Sequence, residues 1–382
     1  MTFELTAEQR AFQQAVRAFA ARELAPRALA ADRTATLPPE NLAGLAREGL
    51  LGLAIPRTYG GQERSHLEYA LAMEELAAAC AATSVLVSVH NSLVAEPISV
   101  WGTPAQRERY LPRLARGEWL GAFALTEPGA GSDAASLRTR ATRDGAGYRL
   151  NGSKCFITNS GLAQLYLVFA TLDPQAGARG ITAFLVERGT PGFTIGPYEH
   201  KLGIRASTTA QLFFEDCYVP ADQRLGPEGQ GWRIAMSTLD TGRIGIAAQA
   251  VGIARAAYEA ALAAIRQQRQ RGGPLAESQG VQWLLADMNV RIDAARLLVL
   301  RAASLRDAGQ RVTREAAAAK LFASETAMWV ATRALELQGT EGCRLDAPAQ
   351  RYFRDAKITE IYEGTSEIQR LIIAEQILKA TD

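Results

Sequence analysis

At Trp119–Glu127 the chain reads WLGAFALTE, and there its texture changes. Upstream, EQRAFQQAVRAFAARELAP carries Phe12, Val16, Phe19 and Ala20 at a near one-face helical spacing, with Pro26 close to its end. HLEYALAMEELAAACAATSVLVSVHNSLVAEPISVWG continues as alanine-rich helical sequence interrupted at Pro97, and Gly102 and Pro104 precede a further short helix. Downstream come runs rich in aromatic and β-branched residues: YRLNGSKCFITN, QLYLVFATL, ITAFLVER, GFTIGPYEHKLG and AQLFFEDCYVP. Gly, Pro, Asp or Asn separates most of them. Strands at this spacing without helical crossovers predict an antiparallel barrel or sandwich rather than a doubly wound sheet. Helical texture returns from Gly231. The expected fold is therefore α+β, mainly α: an N-terminal helical domain over 1–118, a β-domain over 119–228 and a C-terminal helical bundle over 229–382.

Composition narrows the chemistry. Net charge is +2 with both signs interspersed, which gives no reason to expect a nucleic-acid or acidic-membrane partner. No apolar run reaches the roughly 18 residues that span a bilayer. The start, MTFELTAEQRAFQQAVRAFA, lacks the pattern of a secretory leader, so a cytoplasmic protein is expected. Cys80, Cys155, Cys217 and Cys343 show no paired spacing and read as buried free thiols. The three histidines, His66, His90 and His200, are far apart, and neither HExxH nor CxxC occurs; no metal site is expected. No G-x-G-x-x-G fingerprint opens a helix after a strand, and no Walker-type loop is present.

Near the C-terminus, RDAKITEIYEGTSEIQRLIIAEQ (Arg354–Gln376) sets a carboxylate, Glu363, between Tyr362 and Gly364. Ser366 and Gln369 form an S-x-x-Q capping-box pattern, which predicts a helix starting at Ser366. The preceding run can be helical to about Tyr362, with Gly364 at the turn. A carboxylate at such a break, beside an aromatic wall that desolvates it, suits a catalytic base. A solvated carboxylate in an exposed turn fits the same residues, and the motif alone does not separate the two.

AKITEIYEGTSEIQRLII (Ala356–Ile373) resembles the C-terminal signature of the acyl-CoA dehydrogenases, flavoenzymes that oxidise acyl-CoA thioesters to trans-2-enoyl-CoA. FALTEPGAGSD (Phe123–Asp133) resembles the family's flavin-binding turn, and KCFITNS (Lys154–Ser160) the strand against the isoalloxazine ring. LDTGRIGIAAQAVGIA and QWLLADM extend the resemblance over nearly the whole chain, most like the short-chain (butyryl-CoA) branch. It implies FAD held without a Rossmann fold between the β-domain, the C-terminal helices and a neighbouring subunit of a homotetramer, a dimer of dimers. It further implies that Glu363 removes the substrate α-proton while the β-hydrogen passes as hydride to flavin N5. The thioester oxygen then accepts hydrogen bonds from the Glu363 N–H and a ribityl hydroxyl. Electrons pass on to electron-transfer flavoprotein.

By the same resemblance, Phe123, Leu125, Thr126, Gly131, Ser132, Phe156, Ile157 and Thr158 surround the flavin. Arg269, Gln279, Glu336, Gly339, Thr365, Ser366 and Glu367 complete the cofactor set. Ser132, Asp240, Arg243, Tyr362 and Gly364 contact the substrate. Read without the resemblance, TEPGAGSD is equally a plain loop, Thr158 a core threonine, and Asp240–Arg243 a surface ion pair three residues apart on one helix.

Two departures stand out. Gln268 falls where family members carry an arginine near the FAD pyrophosphate, flanked here by Arg266, Arg269 and Arg271. Glu336 stands in place of a glutamine and Thr340 in place of a glycine. One of those three arginines beside Glu336 would neutralise a carboxylate that otherwise repels phosphates and would resolve both departures. Glu96 lies in the stretch that tends to line the acyl tunnel. Branches that take the base from an earlier helix place it where this chain has Gly242. The same chemistry on a carrier-protein thioester, or a catalytically silent scaffold, remain alternative expectations.

Overall fold

The structure, a computed structural model, describes residues 4–270 and 273–379. Arg271, one of the arginines flanking Gln268, lies outside the described residues. The N-terminal part is helical: α1 (Ala7–Phe19), α2 (Ala25–Thr34), α3 (Pro39–Arg47), α4 (His66–Ala79), α5 (Ala81–Ser88), α6 (Glu96–Trp101) and α7 (Pro104–Ala115). Capping boxes start three of them, with Thr6–Gln9, Ser65–Glu68 and Thr103–Gln106 exchanging side-chain and backbone bonds. Pro97 does not break the chain's course. It sits in the first turn of α6, where its missing N–H costs nothing, after a π-helical stretch over Val89–Ala95.

Eight strands follow: β1 (Gly121–Ala124), β2 (Arg140–Asp144), β3 (Gly147–Thr158), β4 (Leu165–Thr171), β5 (Ile181–Glu187), β6 (Phe193–Tyr198), β7 (Thr209–Pro220) and β8 (Arg224–Leu225). They form one sheet in the order β6-β7-β3-β2-β4-β5-β8, with β1 beside β4. The expected barrel or antiparallel sandwich is corrected here. The sheet is open, because its end strands β6 and β8 do not pair, and mixed, because β1 runs parallel to β4 and β2 meets β4 in parallel at Arg140–Thr171. Every residue of β4 is buried, so both its faces are covered and its sequence carries no alternation that would reveal the pairing sense.

The C-terminal part holds α8 (Gly231–Gln267), α9 (Gln279–Asp307), α10 (Thr313–Gly342), α11 (Pro348–Thr359) and α12 (Ser366–Lys379), with a two-strand pair, β9 (Arg269–Gln270) and β10 (Gly273–Pro274), between α8 and α9. Small residues let α8 run through the middle of the molecule. Between Thr241 and Ala257 it buries nearly every side chain, against α4 on one side and α10 on another. One apolar core joins these helices to the N-terminal ones, and two more cover the faces of the sheet. Among the described residues no helix is long and apolar enough to cross a membrane, and no cluster of His, Cys, Asp or Glu is arranged to hold a metal ion. The four cysteines are free. Three are buried as expected, whereas Cys343 is exposed at the end of α10.

Candidate active site

Where the sheet meets α8, α12 and the turn after α11, a cavity of about 370 Å³ opens. It gathers residues scattered over the sequence: Phe123 from β1, Leu125, Thr126, Gly131 and Ser132 from the segment after it, Phe156, Ile157 and Thr158 from β3, Arg243 from α8, and Tyr362, Glu363 and Gly364 from the turn. Val89, Leu93, Ala134, Trp232, Met236, Leu239, Ile368 and Ile372 form its apolar wall, and of these Ala134, Trp232 and Met236 lie outside every motif read from the sequence.

The turn is built so that Glu363 enters this space. Helix α11 ends at Thr359, three residues short of the expected Tyr362, because residues 360–365 are needed to reverse the chain. Glu363 takes the left-handed conformation at φ 52°, rare for a residue with a Cβ, and Gly364 follows at φ 96°. Helix α12 does begin at Ser366, but the capping differs from the S-x-x-Q expectation. Thr365 precedes the first helical residue, and its Oγ1 accepts from the Ile368 N–H at 3.4 Å. Gln369 instead turns back, donating to the carbonyls of Glu363 (3.1 Å) and Gly364 (2.8 Å). Ser366 is buried, its Oγ without a hydrogen-bond partner, while Glu367 is exposed.

Glu363 itself is half-buried, but its Oε2 is shut from solvent and has no hydrogen-bond partner. A Cβ on Gly242 of α8 would lie 2.3 Å from that oxygen, so the carboxylate occupies the very space a side chain at 242 would fill. Burial pushes the Glu363 carboxyl up to about 7, while Lys320 and Arg243 pull it the other way. Arg243 is buried and holds Asp240 at 2.7 Å, so this is no surface pair. Asp240 in turn accepts from Thr313 Oγ1 at 2.7 Å. Tyr362 hydrogen-bonds through its hydroxyl to Gln249 on α8.

On the sheet side a bulge does the aiming. Between Lys154 and Ile157 the register of β3 against β7 slips by one residue, and Phe156 sits there at φ 57°. Its ring is 66 % exposed towards the cavity. Beneath lies a pair the sequence reading missed: Lys154, fully buried, donates to Glu127 Oε1 at 2.7 Å and to the Leu125 carbonyl at 3.1 Å. Glu127 also accepts from the backbone N–H groups of Arg138 (2.6 Å) and Thr139 (2.8 Å). The segment Leu125–Thr139 is thereby pinned to β3.

Not every residue expected at the site is here. Arg269, Gln279, Glu336 and Gly339 do not line this cavity; they lie exposed around the ends of α8, α9 and α10. Asp240, Thr365, Ser366 and Glu367 do not line it either, although their neighbours Leu239, Gly364 and Ile368 do. Gly339 breaks α10 at φ 59°. The arginine that pairs with Glu336 is Arg333, one turn earlier on its own helix at 2.5 Å. Glu96 does not line the cavity either. It is enclosed by His66 (3.5 Å), Thr241 (3.0 Å) and Arg306 (3.2 Å).

Three family models cover the chain: acyl-CoA dehydrogenase N-terminal domain over residues 6–118, middle domain over 122–217 and C-terminal domain over 229–378. A short-chain-specific acyl-CoA dehydrogenase of Clostridium acetobutylicum is 48% identical over 379 residues, 99% of this chain and 100% of the relative. The chain belongs to the acyl-CoA dehydrogenase family. Its members are flavin-dependent oxidoreductases. The butyryl-CoA dehydrogenase structure from Megasphaera elsdenii matches with a TM-score of 0.97 at 45% identity, covering 99% of this chain and 100% of that one. A chain in the structure described as electron transferring flavoprotein of Acidaminococcus fermentans matches equally, at 0.97 and 44%, covering 99% and 100%.

The acyl-CoA dehydrogenase cavity suits a flavin. Phe156 is a large apolar side chain left bare beside it, as a ring-covering residue must be. Nothing lies within 4 Å of a Cβ built on Gly129 or Gly131, so the turn has open space in front of its backbone. Thr126, Ser132 and Thr158 bring hydroxyls to the same space.

Proposed function

We propose that this chain is an FAD-dependent dehydrogenase of short-chain acyl-CoA, straight or short-branched, with Glu363 as the base that takes the α-proton and electrons passing on to electron-transfer flavoprotein. One observation carries the assignment of the base: a dry, unpartnered carboxylate oxygen in the cavity that also holds the flavin-type residues of the β1 and β3 segments.

Phe123, Leu125, Thr126, Gly131, Ser132 and the Phe156–Thr158 strand end would hold the isoalloxazine side of FAD, with Thr365, Ser366 and Glu367 at the N-terminus of α12. When bound, FAD supplies the two-electron acceptor for the β-hydrogen. The protein's task is alignment and charge. An ionised Glu363, near half-charged around neutral pH, is a stronger base than an ordinary surface carboxylate. Among the described residues no acceptor takes the Glu363 N–H, which leaves it available to the thioester oxygen as charge develops there. Tyr362 and the walls from α8 and α12 exclude water. Asp240, Arg243, Ser132 and Gly364 would meet the CoA-bearing part of the substrate.

The remaining cofactor residues, Arg269, Gln279, Glu336 and Gly339, would serve the FAD of a neighbouring subunit. Trp283, Val290 and Leu297 support such an assembly: they recur every seven residues on α9 as an exposed apolar stripe. We take the assembly to be a homotetramer and the domain limits to be 118/119 and 228/229.

The test is colour. The purified holoprotein should be yellow and bleach anaerobically with butyryl-CoA, and Glu363→Gln should stay yellow without bleaching. Bleaching only by an acylated carrier protein moves the substrate off CoA. A protein that takes up no FAD is a scaffold.

A further inference from the structure

Helix α10 carries a lysine with no place in the reaction so far. Lys320 is fully buried in a run that is otherwise almost all alanine, and its Nζ donates to the Gly364 carbonyl at 2.7 Å. That carbonyl follows directly on Glu363 and already accepts from Gln369 Nε2 at 2.8 Å. A second neutral donor would have satisfied it at far lower desolvation cost than a buried ammonium. Moreover, an ammonium has three N–H donors, and among the described residues Lys320 makes this one hydrogen bond. Its charge is therefore compensated through space rather than by an ion pair.

The charges around it are few. Arg243 from α8, itself tied to Asp240, opposes it, and Glu360 from the turn and Glu367 from α12 attract it less than Glu363 does. Tyr69 from α4 and Tyr362 are the other titratable groups that feel Glu363, and burial raises both hydroxyls, so they stay neutral. Burial likewise lowers the Lys320 ammonium, to about 8, with Glu363 the strongest attraction holding its proton.

We propose that Lys320 is a positioning residue for the base: it anchors the left-handed Glu363–Gly364 turn through the Gly364 carbonyl, and its fixed charge stabilises the ionised form of Glu363 inside the cavity. This inference rests on Glu363 being the base and gives that site its electrostatic support. Lys320 donates no proton in the reaction; the substrate α-proton goes to Glu363.

Two substitutions separate its roles. Lys320→Gln keeps a donor for the Gly364 carbonyl and removes the charge; Lys320→Met removes both at similar volume. In each holoprotein, the ionisation of Glu363 is read from the carboxyl C=O stretch by pH-dependent infrared difference, with Glu363→Gln as the blank. Lys320→Gln should move that midpoint up by about one pH unit, the order expected on removing a nearby opposite charge. Anaerobic bleaching near neutral pH should slow by about fivefold and recover as pH rises. Lys320→Met should add a loss that raising the pH does not recover. An unmoved midpoint in Lys320→Gln overturns the proposal, whatever happens to thermal stability. If the midpoint moves but no thioester bleaches the wild type, the electrostatic role stands and the dehydrogenase reading fails. If bleaching occurs with an unmoved midpoint, the reverse holds.

Discussion

Gly242→Ala puts one methyl group against the Glu363 carboxylate. Its Cβ would lie 2.3 Å from Glu363 Oε2, 3.1 Å from Glu363 Cδ and 2.8 Å from Leu93 Cδ2, each well inside van der Waals contact. The carboxylate must withdraw by about 1 Å, since Gly242 sits mid-helix in the fully packed part of α8 and its backbone cannot retreat. Two stability effects oppose each other. Alanine favours a helix interior over glycine by about 1 kcal/mol, while overpacking costs roughly 1–3 kcal/mol. Net stability should therefore change by no more than about 2 kcal/mol. Catalysis has no such offset: displacing a base by about 1 Å costs on the order of 100-fold in rate. Stopped-flow bleaching of the holoenzyme by butyryl-CoA, beside a thermal unfolding scan, reads both. A variant that folds and binds FAD normally but bleaches at the wild-type rate would refute the placement of Glu363 against Gly242.

Glu363 should also leave a mark on stability. The folded protein keeps its proton up to about 7, whereas an unfolded chain releases it near ~4.3. Ionisation therefore costs nothing below the unfolded value, an increasing amount between the two, and the full amount above the folded one, on the order of 4 kcal/mol. Urea unfolding should show Glu363→Gln gaining on the wild type from pH 4.5 to pH 8, and a gap independent of pH would contradict the raised value. Lys154→Met strands Glu127 with only its two backbone donors, and should cost about 3 kcal/mol by denaturant unfolding and reduce the FAD retained on purification. Wild-type stability in that variant would mean the pair does not pin the turn.

How much of this was legible in the sequence depended on whether the signal was local. The strand texture after Trp119, the start of α12 at Ser366 and the gathering of Thr126, Phe156 and Glu363 around one cavity followed from short-range patterns and the resemblance. What was missed needed the third dimension. β4 is buried on both faces, so nothing in its residues distinguishes a parallel neighbour from an antiparallel one. The bulge at Phe156 arises between strands far apart in the chain. The left-handed turn at Glu363 was anticipated only through Gly364. Lys320 did leave a trace: it lies four residues after Ala316 and three before Ala323, both buried, and so on the inward face of α10. Glu336 found its arginine within its own helix, a pairing at i,i+3 that sequence spacing alone could have supplied.

The most direct measurement is a crystal structure of the FAD-loaded protein with a non-reactive butyryl-CoA analogue. The thioester α-carbon should lie within roughly 3.5 Å of a Glu363 carboxylate oxygen, with the flavin on its other side. A Glu363 side chain turned out of the cavity, with some other basic group beside that carbon, would contradict that placement.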